Sequence, residues 1–175
     1  RDYYSMHPEL KEVDDDLRGR PDLCDFSSPS YEPFEASEVR SNFSLIEDLR
    51  PLCEGMPSNN RFRSDSSSFT DLVKRVAHDF GADLVGVAEM KPEFYYSHRG
   101  RHREHYGKRI TDLLPFGIAF AVEIKKDMID SAPAMTAMVE SSRTYLKAAT
   151  IGLSISYFIR SLGYSARNHM DGNYL

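Results

Sequence analysis

The sequence predicts an α/β or α+β domain in which helices pack on a layered sheet. Two features of the chain indicate this class. From Ser68 onward, stretches with helical periodicity alternate with short apolar runs that suit buried strands. Their order is helix, strand, polar loop, strand, helix, strand, which is typical of helices layered on a sheet.

The amino-acid composition also limits the class of protein to which the chain can belong. The chain has 175 residues, of which 41% are apolar and 28% charged, which is typical of one globular domain with a core. Its net charge of -5 does not indicate a general role in nucleic-acid binding. The longest apolar runs, such as Leu113–Val122, are far shorter than the roughly 20 residues of a membrane helix. Cys24 and Cys53 are too few to form a zinc or iron–sulfur site, and free thiols are favoured over a disulfide.

Residues 1–67 carry little pattern. They are rich in turn residues and acidic side chains, and Phe43–Leu49 alone hints at a short helix. We expect an N-terminal extension that is partly irregular and wraps the domain. Alternatively, Tyr31, Phe34 and Phe43 anchor this arm over a pocket, because aromatic side chains in a polar arm need somewhere to be buried.

Residues 68–175 carry the pattern of the domain itself. Ser68, with Asp71 three residues later, predicts the cap of a helix. Apolar residues then recur on one helical face, at Phe69, Leu72, Val73, Val76, Ala77 and Phe80. Gly81 predicts the end of this helix, and Leu84–Ala88 a short buried strand.

The second half predicts a strand, a long helix and another strand. Leu113–Ile124 suits a core strand, with Pro115 near its start, where a missing donor does least harm. The helix is predicted over Ala132–Leu162, with Pro133 in its first turn and Gly163 as its stop. Tyr164–Arg167 is the third strand candidate. Three strands leave a bare sheet edge, so we interpret the chain as part of a larger domain.

One face of the long helix is a candidate site. Steps of three and four place mostly small side chains there around one tyrosine: Met138, Ser141, Ser142, Tyr145, Ala149, Gly152 and Ser156. Small residues allow a neighbouring group to approach the helix closely. Either a second helix packs here, with the hydroxyl of Tyr145 bonded to a carbonyl, or a ligand binds here.

Two polar stretches are further candidates. The turn Asn168-His169-Met170-Asp171-Gly172-Asn173 follows the third predicted strand, and ligands of open α/β sheets gather at such strand ends; an ordinary surface turn is the alternative. His98, His102 and His105 have the helical spacing of metal ligands. Neighbouring arginines favour a solvated basic loop instead, one that could recognise an anion. The common nucleotide-binding and hydrolase motifs are absent.

Several of these segments together resemble the reductive dehalogenases, which are corrinoid and iron–sulfur enzymes. The resemblance covers residues 69–175 and rests on Gly81–Ala88, Pro133, Tyr145, Phe158-Ile159-Arg160, Leu162-Gly163-Tyr164 and Asp171-Gly172. It implies a nitroreductase-like fold that is incomplete in this chain and binds cobalamin. It also implies two [4Fe–4S] clusters from a downstream segment absent here.

The resemblance also implies roles for individual residues. Tyr145 matches the tyrosine proposed as proton donor, and Asp171 matches the position before glycine in the polar turn, so both are expected to be catalytic. Arg143-Thr144-Tyr145-Leu146-Lys147 matches the family pattern only loosely. Residues expected to contact the cofactor are Ser141, Ser142, Met170, Gly172 and Asn173.

The expected function is therefore corrinoid-dependent reductive cleavage of a carbon–halogen bond in a small organohalide. The electron donor would be a ferredoxin, a flavodoxin or a membrane partner. One alternative is an enzyme like epoxyqueuosine reductase, in which the basic stretch between residues 99 and 109 faces tRNA. Another is a non-catalytic cobalamin-binding fragment. Both a cytoplasmic and an exported, membrane-associated location are open, and the sequence does not indicate the oligomeric state.

Overall fold

The computed structural model of the chain describes residues 2–99 and 106–170. Within these residues, four α-helices are followed by two strands and then by two more α-helices, an α+β fold that confirms the mixed class. The elements are α1 (Asp2–Met6), α2 (Pro8–Gly19), α3 (Pro33–Leu49), α4 (Ser66–Asp79), β1 (Leu84–Glu89), β2 (Phe116–Ala121), α5 (Lys126–Ile129) and α6 (Met135–Ser161). A 3-10 turn, Arg50–Cys53, follows α3, and another, Pro92–Phe94, follows β1.

Helix α6 is the element on which the other parts pack. Its residues Ile151, Gly152 and Leu153 are consecutive and all buried, so neighbours enclose this stretch on several sides. The helix begins later than the sequence indicated, because Ala134 is its N-cap and Pro133 precedes it. Gly163 ends it as expected, with a φ of +83° in the left-handed region that suits glycine.

Helix α3 covers one side of α6. The short helix suggested by the sequence lies inside this longer one, which begins at Pro33 after a Glu32 side chain that accepts hydrogen bonds from two backbone N–H groups. Val39 packs in one buried cluster with Met135 and Val139 of α6, and Ile46 packs in a second cluster with Ala149 and Leu153. The division of the chain at residue 67 stays a prediction.

Helix α4 leads into the sheet, as the sequence predicts. Its cap differs from the expected one: Asp65, not Ser68, precedes the helix, and its carboxylate accepts a hydrogen bond of 2.9 Å from the backbone N–H of Ser68. Gly81 ends the helical stretch with a φ of +102°. The chain then enters β1 within three residues.

Strands β1 and β2 form an antiparallel pair. Leu84 lies opposite Ala121, and Glu89 lies opposite Phe116. The inner face of the pair packs on α4 and α6 through Val85, Ile118 and Phe120. Apart from Leu84, the outer face is made of small residues: Gly86, Ala88, Gly117, Ala119 and Ala121. Strand β2 is shorter than the predicted Leu113–Ile124, and Pro115 lies just outside it.

The predicted third strand is wrong. Residues Tyr164–Arg167 do not form a strand. This segment and the residue after it form hydrogen bonds to a loop and not to the sheet. The hydroxyl of Tyr164 donates to the carbonyl of Phe62 over 2.8 Å. The backbone N–H of Asn168 donates to the carbonyl of Cys53 over 3.0 Å. The chain after α6 therefore runs along the loop between residues 53 and 62.

No helix in the described ranges, 2–99 and 106–170, combines the length and apolar character needed to cross a membrane.

Candidate functional site

The middle of α6 carries Ser141, Ser142 and Tyr145, but the structure places these three side chains in different surroundings. Ser142 is fully buried. Its hydroxyl donates to the carbonyl of Val139 over 2.8 Å and accepts from the side-chain amide of Asn42 on α3 over 3.0 Å. Ser141 is half-buried and donates to the carbonyl of Ala137. Neither hydroxyl therefore has its proton free for a ligand.

Tyr145 is the exposed residue of this group. Its side chain is 51% exposed, and its ring meets that of Phe43 with the centroids 5.9 Å apart. Helix α3 thus covers one side of the ring and leaves the other open. This position suits contact with a molecule outside the described chain.

Arg143, the arginine nearest to Tyr145 along α6, already forms an ion pair with Glu38. Arg143 makes two hydrogen bonds to the carboxylate of Glu38 on α3, one of them 2.9 Å long. This guanidinium holds the pKa of Glu38 below its usual value. The pair ties α3 to α6, and the positive charge of Arg143 is directed to Glu38.

The polar turn meets α6 one to two turns after Tyr145. Asn168 lies directly over Gly152: a Cβ atom at Gly152 would stand 2.2 Å from the side-chain oxygen of Asn168. Met170 is buried in a cluster with Ala149 and Leu153 of α6 and with Cys53 of the 3-10 turn after α3. The structure therefore brings the start of the turn against the small-residue face of the helix.

This close packing decides whether the face could hold a flat macrocycle. Gly152 is covered by Asn168, Ala149 by Ile46 and Met170, and Ser142 by Asn42. The small residues are thus explained by contacts within the chain. Ser142, Ala149 and Gly152 therefore do not fit a corrin, because other side chains of the chain already cover them.

Some of the predicted residues lie outside the described part of the chain. These are Asp171, Gly172 and Asn173 of the turn, and His102 and His105 of the basic stretch. His98 pairs with Arg109 in an isolated antiparallel bridge, so its backbone is extended and the helical spacing of metal ligands does not apply to it. Among residues 2–99 and 106–170, no group of three or more His, Cys, Asp and Glu side chains could hold a metal ion.

Two arginines with buried side chains, Arg160 and Arg167, were not among the predicted site residues, although Arg160 belongs to one of the segments that carry the resemblance. Arg167 reaches the carboxylate and the backbone carbonyl of Asp112, at 3.5 and 2.9 Å, and so fixes the approach to the polar turn. Arg160 is buried near the end of α6. The sequence contained a signal for Arg160, because it lies one helical turn after Ser156 on the same face of the helix.

Comparisons with known proteins show a likeness at the level of the fold. No family model matches the sequence, and no curated protein matches it. Solved structures do match, among them two reductive dehalogenases. One, a reductive dehalogenase whose structure suggests a mechanism for B12-dependent dehalogenation, is 21% identical with a TM-score of 0.65, over 82% of this chain and 22% of its own.

The second solved structure is an N-terminally tagged variant of a catabolic reductive dehalogenase. It is 21% identical with a TM-score of 0.67, over 83% of this chain and 22% of its own. At this identity the likeness concerns the fold. The chain spans about a fifth of the length of the structures that it matches, and it has the fold of the corresponding part of reductive dehalogenases.

Proposed function

We propose that this chain is part of a reductive dehalogenase, an oxidoreductase that cleaves the carbon–halogen bond of a small organohalide. The observation that carries the proposal is the shared fold over more than four fifths of the chain with two such enzymes. The nitroreductase-like architecture suggested by the resemblance is part of the same proposal. Helices packed on an antiparallel pair are compatible with it.

In this proposal cobalamin does not contact Ser142, Ala149 or Gly152 of α6. Asn42, Ile46, Asn168 and Met170 cover these three residues, whereas Tyr145 on the same face is open. The corrin, and the two [4Fe–4S] clusters expected for electron supply, therefore need ligands other than these three residues. In this proposal the described part of the chain contributes a scaffold and one exposed phenol.

Tyr145 is the residue that we propose as proton donor. Reductive cleavage of a carbon–halogen bond releases halide and leaves a strongly basic carbon, which must be protonated. A phenol beside that carbon can supply the proton, provided that it is exposed to the substrate. Tyr145 satisfies this condition, because half of its side chain is open. Asp171 stays a proposed second polar group of the site.

The experiment is halide release by the full-length enzyme reconstituted with cobalamin and assayed with a set of organohalides. We expect the Tyr145→Phe variant to lose roughly 10²-fold or more in turnover, because a general acid contributes about that factor. Binding of cobalamin, followed by its absorption spectrum, should be unchanged, because Tyr145 lies outside the buried packing.

The matched control is Tyr106→Phe, which removes a hydroxyl of similar kind from another exposed site. This variant should keep full turnover. Halide release by the Tyr145→Phe variant at the wild-type rate would remove the tyrosine from the mechanism. Absence of halide release from the wild-type holoenzyme with every organohalide would contradict the proposed activity itself.

A further inference from the structure

A buried arginine without a carboxylate partner lies near the end of α6. Arg160 is 5% exposed, and no carboxylate of residues 2–99 and 106–170 forms an ion pair with it. Its Nη1 atom is buried and has no hydrogen-bond partner in this part of the chain. An uncompensated guanidinium is costly to bury, so a counter-charge or another acceptor would stabilise it.

The rest of the guanidinium is held in place. Its Nη2 atom donates to the carbonyl of Leu52 over 3.2 Å, and its central carbon lies 4.3 Å from the centroid of the Tyr157 ring. Gly55 packs against Nη1 so closely that a Cβ atom there would stand 2.8 Å from it. The orientation of the group is thus fixed before any ligand arrives.

Arg160 and Gly55 both line a surface pocket of about 380 Å³. Among the described residues that line it, the one carboxylate belongs to Glu54, which pairs with Arg99 at 3.3 Å. Ser58 also lines the pocket. Its hydroxyl oxygen accepts from the backbone N–H of Asn60 over 3.2 Å, which leaves the hydroxyl proton free to donate.

We propose that this pocket binds an oxyanion, a phosphate or a carboxylate group of a small molecule, with Arg160 as its charged donor. The guanidinium supplies charge-assisted hydrogen bonds, and the hydroxyls of Ser58 and Tyr157 supply neutral ones. Binding neutralises the buried charge, and the volume accommodates more than the anionic group alone. The site uses none of the residues proposed for dehalogenation, so it stands independently of that function.

The test measures thermal unfolding of the chain by circular dichroism, with inorganic phosphate and with acetate, each against chloride at equal ionic strength. We expect a saturable rise in Tm of roughly 3 °C with the preferred anion, since a ligand that binds the folded state alone stabilises it. A rise with phosphate identifies a phosphate group, and a rise with acetate identifies a carboxylate.

Two variants locate the effect at the pocket. Arg160→Gln removes the charge, and Gly55→Ala keeps the charge but pushes a methyl group against Nη1. Both should lose the anion-dependent rise, and Gly55→Ala decides the question if Arg160→Gln does not fold. Arg143→Ala, which removes an arginine of a surface pair, should keep the rise in full. No rise for the wild-type chain, or an equal rise in all variants, overturns the proposal.

Discussion

At the scale of single residues, the contact between Gly152 and Asn168 defines the candidate site. Glycine inside a helix is ordinarily unfavourable by about 1 kcal/mol relative to alanine. Here the missing side chain lets Asn168 lie directly on the helix backbone, and Asn168 in turn bonds to the carbonyl of Cys53. The glycine therefore joins three segments that are distant in sequence.

We expect the Gly152→Ala variant to be less stable than the wild-type chain. The added methyl group would stand 2.2 Å from the side-chain oxygen of Asn168, and overpacking of this kind costs about 1–3 kcal/mol. The better helix propensity of alanine offsets about 1 kcal/mol of that cost. Chemical unfolding in urea measures the difference between the two proteins.

Gly19→Ala is the matched control, because no atom lies within 4 Å of a Cβ atom built at Gly19 at the end of α2. Its stability should be unchanged or slightly higher. Adding Asn168→Ala to Gly152→Ala should recover part of the loss, since the clashing side chain is then gone. An unchanged or raised stability for Gly152→Ala would show that Asn168 moves away without cost.

The sequence predicted which residues share the face of α6, but not what covers that face. A period of three and four places Ser142, Tyr145 and Gly152 together, and both interpretations of the face used that fact. The structure shows α3 and the polar turn on it, with Tyr145 at the open margin. Spacing along one helix carries no information about its partner, so the partner could not be predicted.

At the scale of elements, the start of α4 shows how one carboxylate stabilises a helix. The hydrogen bond from the backbone N–H of Ser68 holds the pKa of Asp65 below its ordinary value of 3.8, and a bond from the hydroxyl of Ser68 adds to this. A carboxylate with a lowered pKa stabilises the folded state while it is ionised. That contribution is present above pH 3.8 and is lost as the pH falls towards the lower, folded-state pKa.

We expect Asp65→Ala to lower the Tm at pH 7 by roughly 3 °C, the usual effect of losing an N-cap in a chain of this size. The difference between wild type and variant should shrink as the pH is lowered below 3.8, because the wild-type cap is then protonated. Thermal unfolding at both ends of this pH range gives the comparison.

Asp65→Asn is the control for the charge, since asparagine also caps helices but does not titrate. Its Tm at pH 7 should lie near that of the wild type. A difference between wild type and Asp65→Ala that is the same at every pH would show that the ionised form of Asp65 has no special role in the cap.

Elements with strong periodicity and a glycine stop were predicted well. Helix α4, strand β1 and the end of α6 follow from apolar spacing together with Gly81 and Gly163. Helix α3 was underestimated, although Ala36, Val39, Phe43 and Ile46 recur at steps of three and four. The third strand failed because Tyr164–Arg167 is too short for apolar content to separate a strand from a segment bonded to a loop.

At the scale of the whole molecule, the N-terminal residues divide into two parts with different roles. Helix α2 has no buried residue. Helix α3 buries Ala36, Val39 and Ile46 in clusters that include residues of α6. The segment from residue 21 onward is therefore expected to contribute to the core, and α1 and α2 are not.

We expect a chain shortened to residues 21–175 to unfold cooperatively, with a Tm within a few degrees of the parent. A chain shortened to residues 68–175 should lose cooperative unfolding, because the buried side of α6 then faces water. Thermal unfolding by circular dichroism distinguishes the two. Cooperative unfolding of the 68–175 chain at the parent Tm would show that residues 1–67 are a dispensable extension.

The fold class was predictable from the sequence, whereas the function was not determined by the fold. The same layered fold can carry different sites, and the identity of 21% to two dehalogenases leaves activity to be tested. The oxyanion pocket illustrates the point. Its residues come from α6 and from a loop without periodicity, and nothing in the sequence placed Gly55 against Arg160.

The antiparallel pair of β1 and β2 has a practical consequence for work with the purified protein. Within the described residues, each of the two strands is paired along a single edge. The outer face of the pair carries small apolar residues and Leu84, whose side chain is 70% exposed. Free strand edges beside an apolar surface are the usual starting points of aggregation between chains. To improve the yield of soluble protein, we would first place a lysine on that outer face, for example by Ala119→Lys.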